Sequence, residues 1–272
     1  MENRSAPLPI DLYSPEREKY KAPLILIHGL WSASTCWMPW ATHFANLGWE
    51  CRAVNLRGRF GENAAAELKR LTFEDCVGDV RQVIRGAPFP PVVLAHDLGA
   101  SIALEAAAEN KLSALALVAP LPPENELPRA VRLLRLKYRP LLFLRRPFRL
   151  EENDFRKLWL GPGTQDGAAA DCLAADAPAL VDAFFARRLN LAHQKIPCPA
   201  LVAAARDDRI VSPAAQQTFA DRLGADFREY TGGHWLIGEA GGEEIVRDLH
   251  RWIVQKVGGQ ILLEQPPPVP PQ

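Results

Sequence analysis

A chain of 272 residues is long enough for one large domain or for a domain that carries an insertion. Hydrophobic residues make up 48% and charged residues 24%, the mix of an ordinary globular protein. Lys+Arg and Asp+Glu both number 32, so no whole-chain field favours nucleic acid or a membrane. The start, Met1-Glu2-Asn3-Arg4-Ser5, lacks the apolar core of a signal peptide, and no apolar run approaches the ~18 residues of a membrane span. The five cysteines (Cys36, Cys51, Cys76, Cys172, Cys198) are odd in number and form no C-x-x-C pair. They read as reduced thiols, which points to a cytoplasmic protein.

In chain order, the first short apolar run is Leu24-Ile25-Leu26-Ile27, ended by His28-Gly29, and it reads as a buried strand. Further strands are expected at 50–54, 92–95, 114–118, 200–204 and 227–230. Helical periodicity fills 73–84, 99–109, 213–223 and 242–257. Ser212 is a suitable N-cap for the third of these, with Pro213 at its first position. Apolar strands alternating with helices argue for a parallel sheet covered on both faces.

The alternation breaks between about 120 and 196, where the composition is helical and no strand is evident. This stretch is expected to be a helical cap inserted between two strands. The expected organisation is a core over 1–120 and 197–258, a cap over 121–196 and a Pro-rich disordered tail over 259–272. Within the cap, residues 129–149 hold eight Lys/Arg and no acid, interleaved with Leu, Tyr and Phe. A solvated basic surface is the plain reading; a site for an acidic substrate or a membrane-surface contact are the others. Pro140 and Pro147 argue against one continuous amphipathic helix here. His43, His193 and His250 have no partners at metal-ligand spacing, and neither a metal nor another cofactor is expected.

The most informative segment is Val92-Val93-Leu94-Ala95-His96-Asp97-Leu98-Gly99-Ala100-Ser101. An apolar run, a tight turn of small residues and a helix-forming stretch make the layout of a nucleophile elbow, G-x-S-x-G. Asp97 stands at the serine position. After the first strand comes His28-Gly29-Leu30-Trp31; after the fifth, Arg206-Asp207-Asp208-Arg209-Ile210-Val211; after the sixth, Gly232-Gly233-His234-Trp235. The chain order is nucleophile, acid, base, which differs from both protease orders.

With Asn55-Leu56-Arg57-Gly58 added, these motifs make the chain resemble an α/β-hydrolase from about Pro23 to Val257. The resemblance implies an α/β fold with a mostly parallel sheet and a helical cap. It implies Asp97, Asp208 and His234 as catalytic residues, with Asp207 the other candidate acid, and the Leu30 and Leu98 N–H groups as an oxyanion hole. Trp31, His96, Tyr138 and Trp235 are the candidate residues of the substrate pocket, with Trp31 read as a wall and His28 and His96 as structural.

A carboxylate is ionised at neutral pH and attacks an sp³ carbon bearing a halide, or an epoxide carbon, to give an ester. Family members with an aspartate nucleophile are epoxide hydrolases and haloalkane or haloacetate dehalogenases. Dehalogenases usually carry a halide-holding side chain after the nucleophile and after His-Gly, where this chain has Leu98 and Leu30. That departure, with Tyr138 in the cap as a proton donor, favours an epoxide substrate. The neighbourhoods of Asp208 and His234 look more like those of serine esterases. The other readings are an esterase, thioesterase or lactonase relative, a lyase or cyclase using Asp97 as acid or base, and an inactive binding protein. The expected partner is a small-molecule substrate and not a nucleic acid; oligomeric state is left open.

Overall fold

The computed structural model describes residues 8–122, 127–162, 164, 173–186, 196–239 and 241–263. A seven-stranded sheet is built from β1 (Ile10–Tyr13), β2 (Leu24–Ile27), β3 (Cys51–Val54), β4 (Val92–His96), β5 (Ala114–Val118), β6 (Ala200–Ala205) and β7 (Asp226–Tyr230), in spatial order β1-β3-β2-β4-β5-β6-β7, with short apolar runs at its centre and more polar strands at its edges. β2 and β4 to β6 are buried at every position, as required of strands covered on both faces. All pairings are parallel except β1 with β3. The order reverses around β2, which pairs with β3 on one side and β4 on the other. Such a switch point opens a crevice at the carboxyl ends of the strands.

The remaining core helices are α1 (Met38–Asn46), α2 (Ala64–Arg70), α3 (Phe73–Arg85), α4 (Leu98–Ala107), α8 (Pro213–Leu223) and α9 (Gly242–Ile261). α3 opens on a capping box between Thr72 and Asp75, and Ser212 accepts the Ala215 amide at the start of α8. The expected strands and helices are present, with ends shifted by a few residues. The structure adds β1, α1 and α2.

Between β5 and β6 lie α5 (Arg129–Phe143), α6 (Glu152–Trp159) and α7 (Pro178–Ala186). The expectation that Pro140 would interrupt the basic segment is corrected: α5 runs through it and ends before Pro147. Pro140 lies on the exposed side of the helix, where the carbonyl it leaves unpaired can meet water. Two isolated bridges tie this insertion together and to the core, Phe148 to Asp176 and Ser32 to Leu173. The disordered tail expected from residue 259 is corrected at its start, because α9 continues to Ile261; residues 264–272, Cys172 and His193 lie outside the described residues.

Candidate active site

β4 ends in the buried core, and the chain turns into α4 through Asp97, at φ 55° and ψ −124°. This is a positive φ that few non-glycine residues adopt. The turn has no spare room. A Cβ on Gly99 would strike the His28 carbonyl, and one on Gly29 would lie 2.5 Å from Asp97 Cβ. The two glycines therefore let α4 and the β2 loop close on the Asp97 side chain. Gly29→Ala is expected to cost about 1–3 kcal/mol and to displace the Asp97 carboxylate. Urea unfolding would read the first effect and the turnover rate the second.

Asp97, His234 and Asp208 come together from three loops at the carboxyl end of the sheet. His234 Nε2 is 3.3 Å from Asp97 Oδ1, and its Nδ1 is 2.8 Å from Asp208 Oδ2. Asp208 is fixed in turn: Oδ1 accepts the Ile210 and Val211 amides at 2.7 and 2.9 Å, and the Gln216 side chain donates to Oδ2 at 3.1 Å. Asp207 is instead held through its backbone amide, which donates to Gly232 O. The second Asp97 oxygen, Oδ2, accepts the Leu30 N–H at 2.9 Å. Leu98 is the first residue of α4, so its amide belongs to the unpaired first turn of a helix, where anions are favoured.

Two further histidines support this arrangement. His28 Nδ1 donates to Gly29 O at 2.9 Å, and its Nε2 accepts the Leu56 amide at 3.2 Å. His96 Nε2 donates to the His234 carbonyl at 2.8 Å, which anchors the backbone of the imidazole's loop. Burial holds both rings neutral, pushing His28 down to about 3, with Arg59 adding to the effect, and His96 down to about 4, with His234 adding to it. His234 goes the other way: burial opposes its charge, but the Asp208 and Asp97 carboxylates outweigh it and raise the imidazole to about 10. Burial likewise disfavours the Asp97 carboxylate, yet His234, His96 and the Leu30 N–H hold its carboxyl below the ordinary value.

These shifts fix how stability follows pH. The lowered histidines stabilise the fold fully above their unfolded value of about 6.5, and that contribution falls as pH drops below it. The raised His234 stabilises fully below about 6.5, and its contribution is lost as pH rises toward about 10. Stability is therefore expected to peak near neutrality and to fall by a few kcal/mol toward about pH 4.5 and about pH 9.5. Urea midpoints across this range would test it; His96→Phe should flatten the acid limb.

An aromatic layer covers these groups. Trp31, at φ 53°, donates its amide to Asp176 Oδ2 at 2.7 Å, and Arg59 Nη2 reaches the same oxygen at 2.6 Å. Arg59 and Asp176 side chains are 1% and 0% exposed, so a buried ion pair joins the β3 loop to the insertion. The Trp31 ring meets Trp159 edge-on at 5.4 Å and lies 6.0–6.3 Å from Phe148, Phe184 and Phe185. Trp159 in turn lies 6.2 Å from His234. The Trp31 and Trp159 indole N–H groups are buried without a hydrogen-bond partner among the described residues.

Backbone contacts lock this layer to the His234 loop. Trp235 N donates to Trp159 O at 2.8 Å, while Glu239 Oε1 accepts both the Gly161 and Gly233 amides. Asp97 and His234 are 0% exposed.

The other sequence candidates fall in different places. Trp235 packs edge-on against His96 and Phe155, behind His234. Tyr138 is not brought to Asp97 by a hydrogen bond. Its hydroxyl donates to Asp154 at 2.8 Å and accepts the Glu151 amide at 2.9 Å, and its ring stacks on Phe148. Both sides of the hydroxyl are already engaged, so the proton donor expected there is occupied. Trp159, Arg59 and Asp176 were not legible as site residues, since each joins the site only through the packing of the insertion. Among the described residues no group of three or more His, Cys, Asp or Glu is arranged to hold a metal, and no helix is long and apolar enough to cross a membrane.

Residues 24–248 match the Alpha/beta hydrolase family, and the chain belongs to it. No curated protein matches the sequence. Among solved structures, the fold is similar to BpoC, a proposed non-heme bromoperoxidase of Mycobacterium tuberculosis H37Rv: TM-score 0.68, 22% identity, covering 94% of this chain and 98% of that one. A monoacylglycerol lipase of Paleococcus ferrophilus gives TM-score 0.72 at 16% identity, covering 92% and 100%. A thermophilic esterase of Thermogutta terrifontis gives 0.66 at 17%, covering 92% and 94%. At these identities the likeness is one of fold.

Proposed function

We propose that this α/β-hydrolase cleaves a small organic substrate through an alkyl-enzyme ester on Asp97, with the β5–β6 insertion acting as a cap. The observation that carries the reading is the division of labour between the two Asp97 oxygens. Oδ2 rests on the Leu30 N–H, and Oδ1 faces His234. Oδ1 attacks an sp³ carbon: the C–O bond forms as the bond to the leaving group breaks, and the leaving group departs with the electron pair. Asp97 is then a neutral ester whose carbonyl oxygen, Oδ2, already sits on its donor.

Esterification removes one of the two carboxylates that raise His234. Its affinity for a proton falls, the Nε2 proton passes to solvent as the counterpart of the departed anion, and the neutral ring becomes the base for the second step. A water gives a proton to Nε2 and its oxygen adds to Asp97 Cγ. The oxyanion is held by the Leu30 N–H, joined by the Leu98 N–H. Collapse breaks the acyl C–O bond as His234 returns that proton to the alcohol oxygen; the second proton of the water then passes from the Asp97 carboxyl to His234, which restores the carboxylate, with one oxygen from water, and the charged imidazole.

The leaving group favoured is a halide. Tyr138 is engaged elsewhere, whereas Trp159, whose ring lies against His234, and Trp31, edge-on to Trp159, carry buried indole N–H groups with no partner among the described residues. Such donors solvate an anion but do not surrender a proton, which suits a halide better than an alkoxide. A single turnover of a primary alkyl bromide in ¹⁸O-water should leave label in the peptide that contains Asp97. Labelled alcohol with an unlabelled Asp97 would exclude the ester. A higher kcat/KM for styrene oxide than for alkyl bromides would restore the epoxide reading.

A further inference from the structure

α5 is apolar on two opposite faces. Residues 100° apart along a helix place Val131, Leu134, Tyr138 and Leu141 on one side, where they pack into the core. Leu133, Leu136, Pro140 and Phe143, spaced three, four and three apart, share the other side and are exposed. Leu133 is 57% exposed, Leu136 61%, and Phe143 85%, with Leu144 at 57% just beyond. Single exposed leucines are ordinary, but a stripe along one helix is not.

Cations flank the stripe. Arg129, Arg132, Arg139, Arg145 and Arg146 are exposed, and none has an ion-pair partner among the described residues. An open cavity of about 1160 Å³ lies between α2, α5 and α7, with Leu136 and Phe143 of the stripe in its wall; among the described residues that line it, Lys69, Arg70, Arg132, Arg135, Arg139 and Arg145 face one acid, Asp182. Asp182 itself pairs with Arg135 at 3.6 Å. Because the whole chain is neutral, the eight cations of 129–149 leave a net −8 on the rest. The charge is separated in space even though it cancels in sum.

We infer that the outer face of α5 docks on an anionic lipid bilayer, with Leu133, Leu136 and Phe143 entering the headgroup boundary and the surrounding arginines meeting acidic headgroups. An apolar stripe bordered by Arg is the pattern of a helix lying in the plane of a membrane interface, and arginine stems extend that apolar surface while their heads reach phosphate. A second copy of the chain is a poor occupant. A two-fold contact through the same patch would press the arginines of one copy against those of the other. A soluble polyanion could neutralise the cavity but would leave Leu133 and Leu144, which do not line it, in water and would set its charge against Leu136 and Phe143. The inference is independent of which bond Asp97 cleaves; its use to the enzyme would be delivery of apolar molecules to the insertion that covers the site.

The test is co-sedimentation of the full chain with phosphatidylcholine vesicles, with and without phosphatidylserine. Binding is expected only with phosphatidylserine and should weaken as salt rises. Each arginine near an anionic surface contributes about 1 kcal/mol, so the triple variant Arg132→Gln/Arg139→Gln/Arg145→Gln should bind roughly 100-fold more weakly. Leu136→Ser/Phe143→Ser should also lose binding with its melting temperature unchanged, since both side chains are exposed. Several results would overturn the proposal: no vesicle binding; equal binding to phosphatidylcholine alone; variants that bind as the parent does; binding of soluble hexametaphosphate without vesicle binding; or self-association abolished by Leu136→Ser/Phe143→Ser.

Discussion

Asp97→Asn is expected to lower turnover by at least ~10³-fold, because an amide oxygen is a poor nucleophile and Asn keeps the size and backbone preference of Asp. The variant should remain folded. The informative comparison is His234→Gln, which leaves the Asp97 carboxylate able to attack and removes the base of the second step. Under the alkyl-ester route it accumulates a protein heavier by the alkyl group, with the added mass on the peptide containing Asp97, and releases about one halide per chain. Under an acid–base route both variants fail without any adduct. Mass spectrometry after a single exposure to an alkyl bromide distinguishes the two outcomes. Asp97→Ser is a third arm: esterase activity in it would mean that the surroundings of His234 and Leu30 suit acyl chemistry once a hydroxyl is supplied.

Arg59→Met is expected to destabilise the fold by about 3–5 kcal/mol, the usual cost of leaving a buried charge without its partner. Arg59 and Asp176 are both almost wholly buried, and Asp176 also accepts the Trp31 amide and that of Ala177, just before α7. Burial already pushes the Asp176 carboxyl up, with Arg59 opposing. Without Arg59 the carboxyl rises further. A raised acid favours the fold when protonated, so the loss relative to the parent should be smaller near about pH 4 than near about pH 8. Asp176→Asn placed on Arg59→Met should restore part of the stability, since the amide oxygen still accepts the Trp31 N–H without carrying charge. Urea midpoints of the four proteins give the coupling directly.

The core of the fold was legible because its central strands are continuous apolar runs and its strands end in loops rich in chemistry-bearing residues. His28-Gly29, Asp97, Asp208 and His234 each follow a strand, and parallel strands bring their carboxyl ends together whatever the intervening helices do. β1 escaped notice for the opposite reason: Ile10-Asp11-Leu12-Tyr13 is a largely exposed edge strand, and its short alternation carries little signal. Pro140 misled because proline removes one hydrogen bond, a loss that a long helix tolerates on its wet side. Tyr138 misled because its availability depended on Asp154, sixteen residues away and one helix on. Arg59 and Asp176 are 117 residues apart, and no local pattern announces a contact of that range.

The backbone at position 97 has a consequence for the history of such a site. A positive φ costs any side chain with a Cβ, of order 1–3 kcal/mol, and ψ −124° lies outside the left-handed helical region that Asp and Asn tolerate. The turn therefore strains a hydroxyl-bearing and a carboxylate-bearing residue alike and does not choose between them. An exchange of one for the other at this position would change the chemistry while leaving the backbone cost where it was.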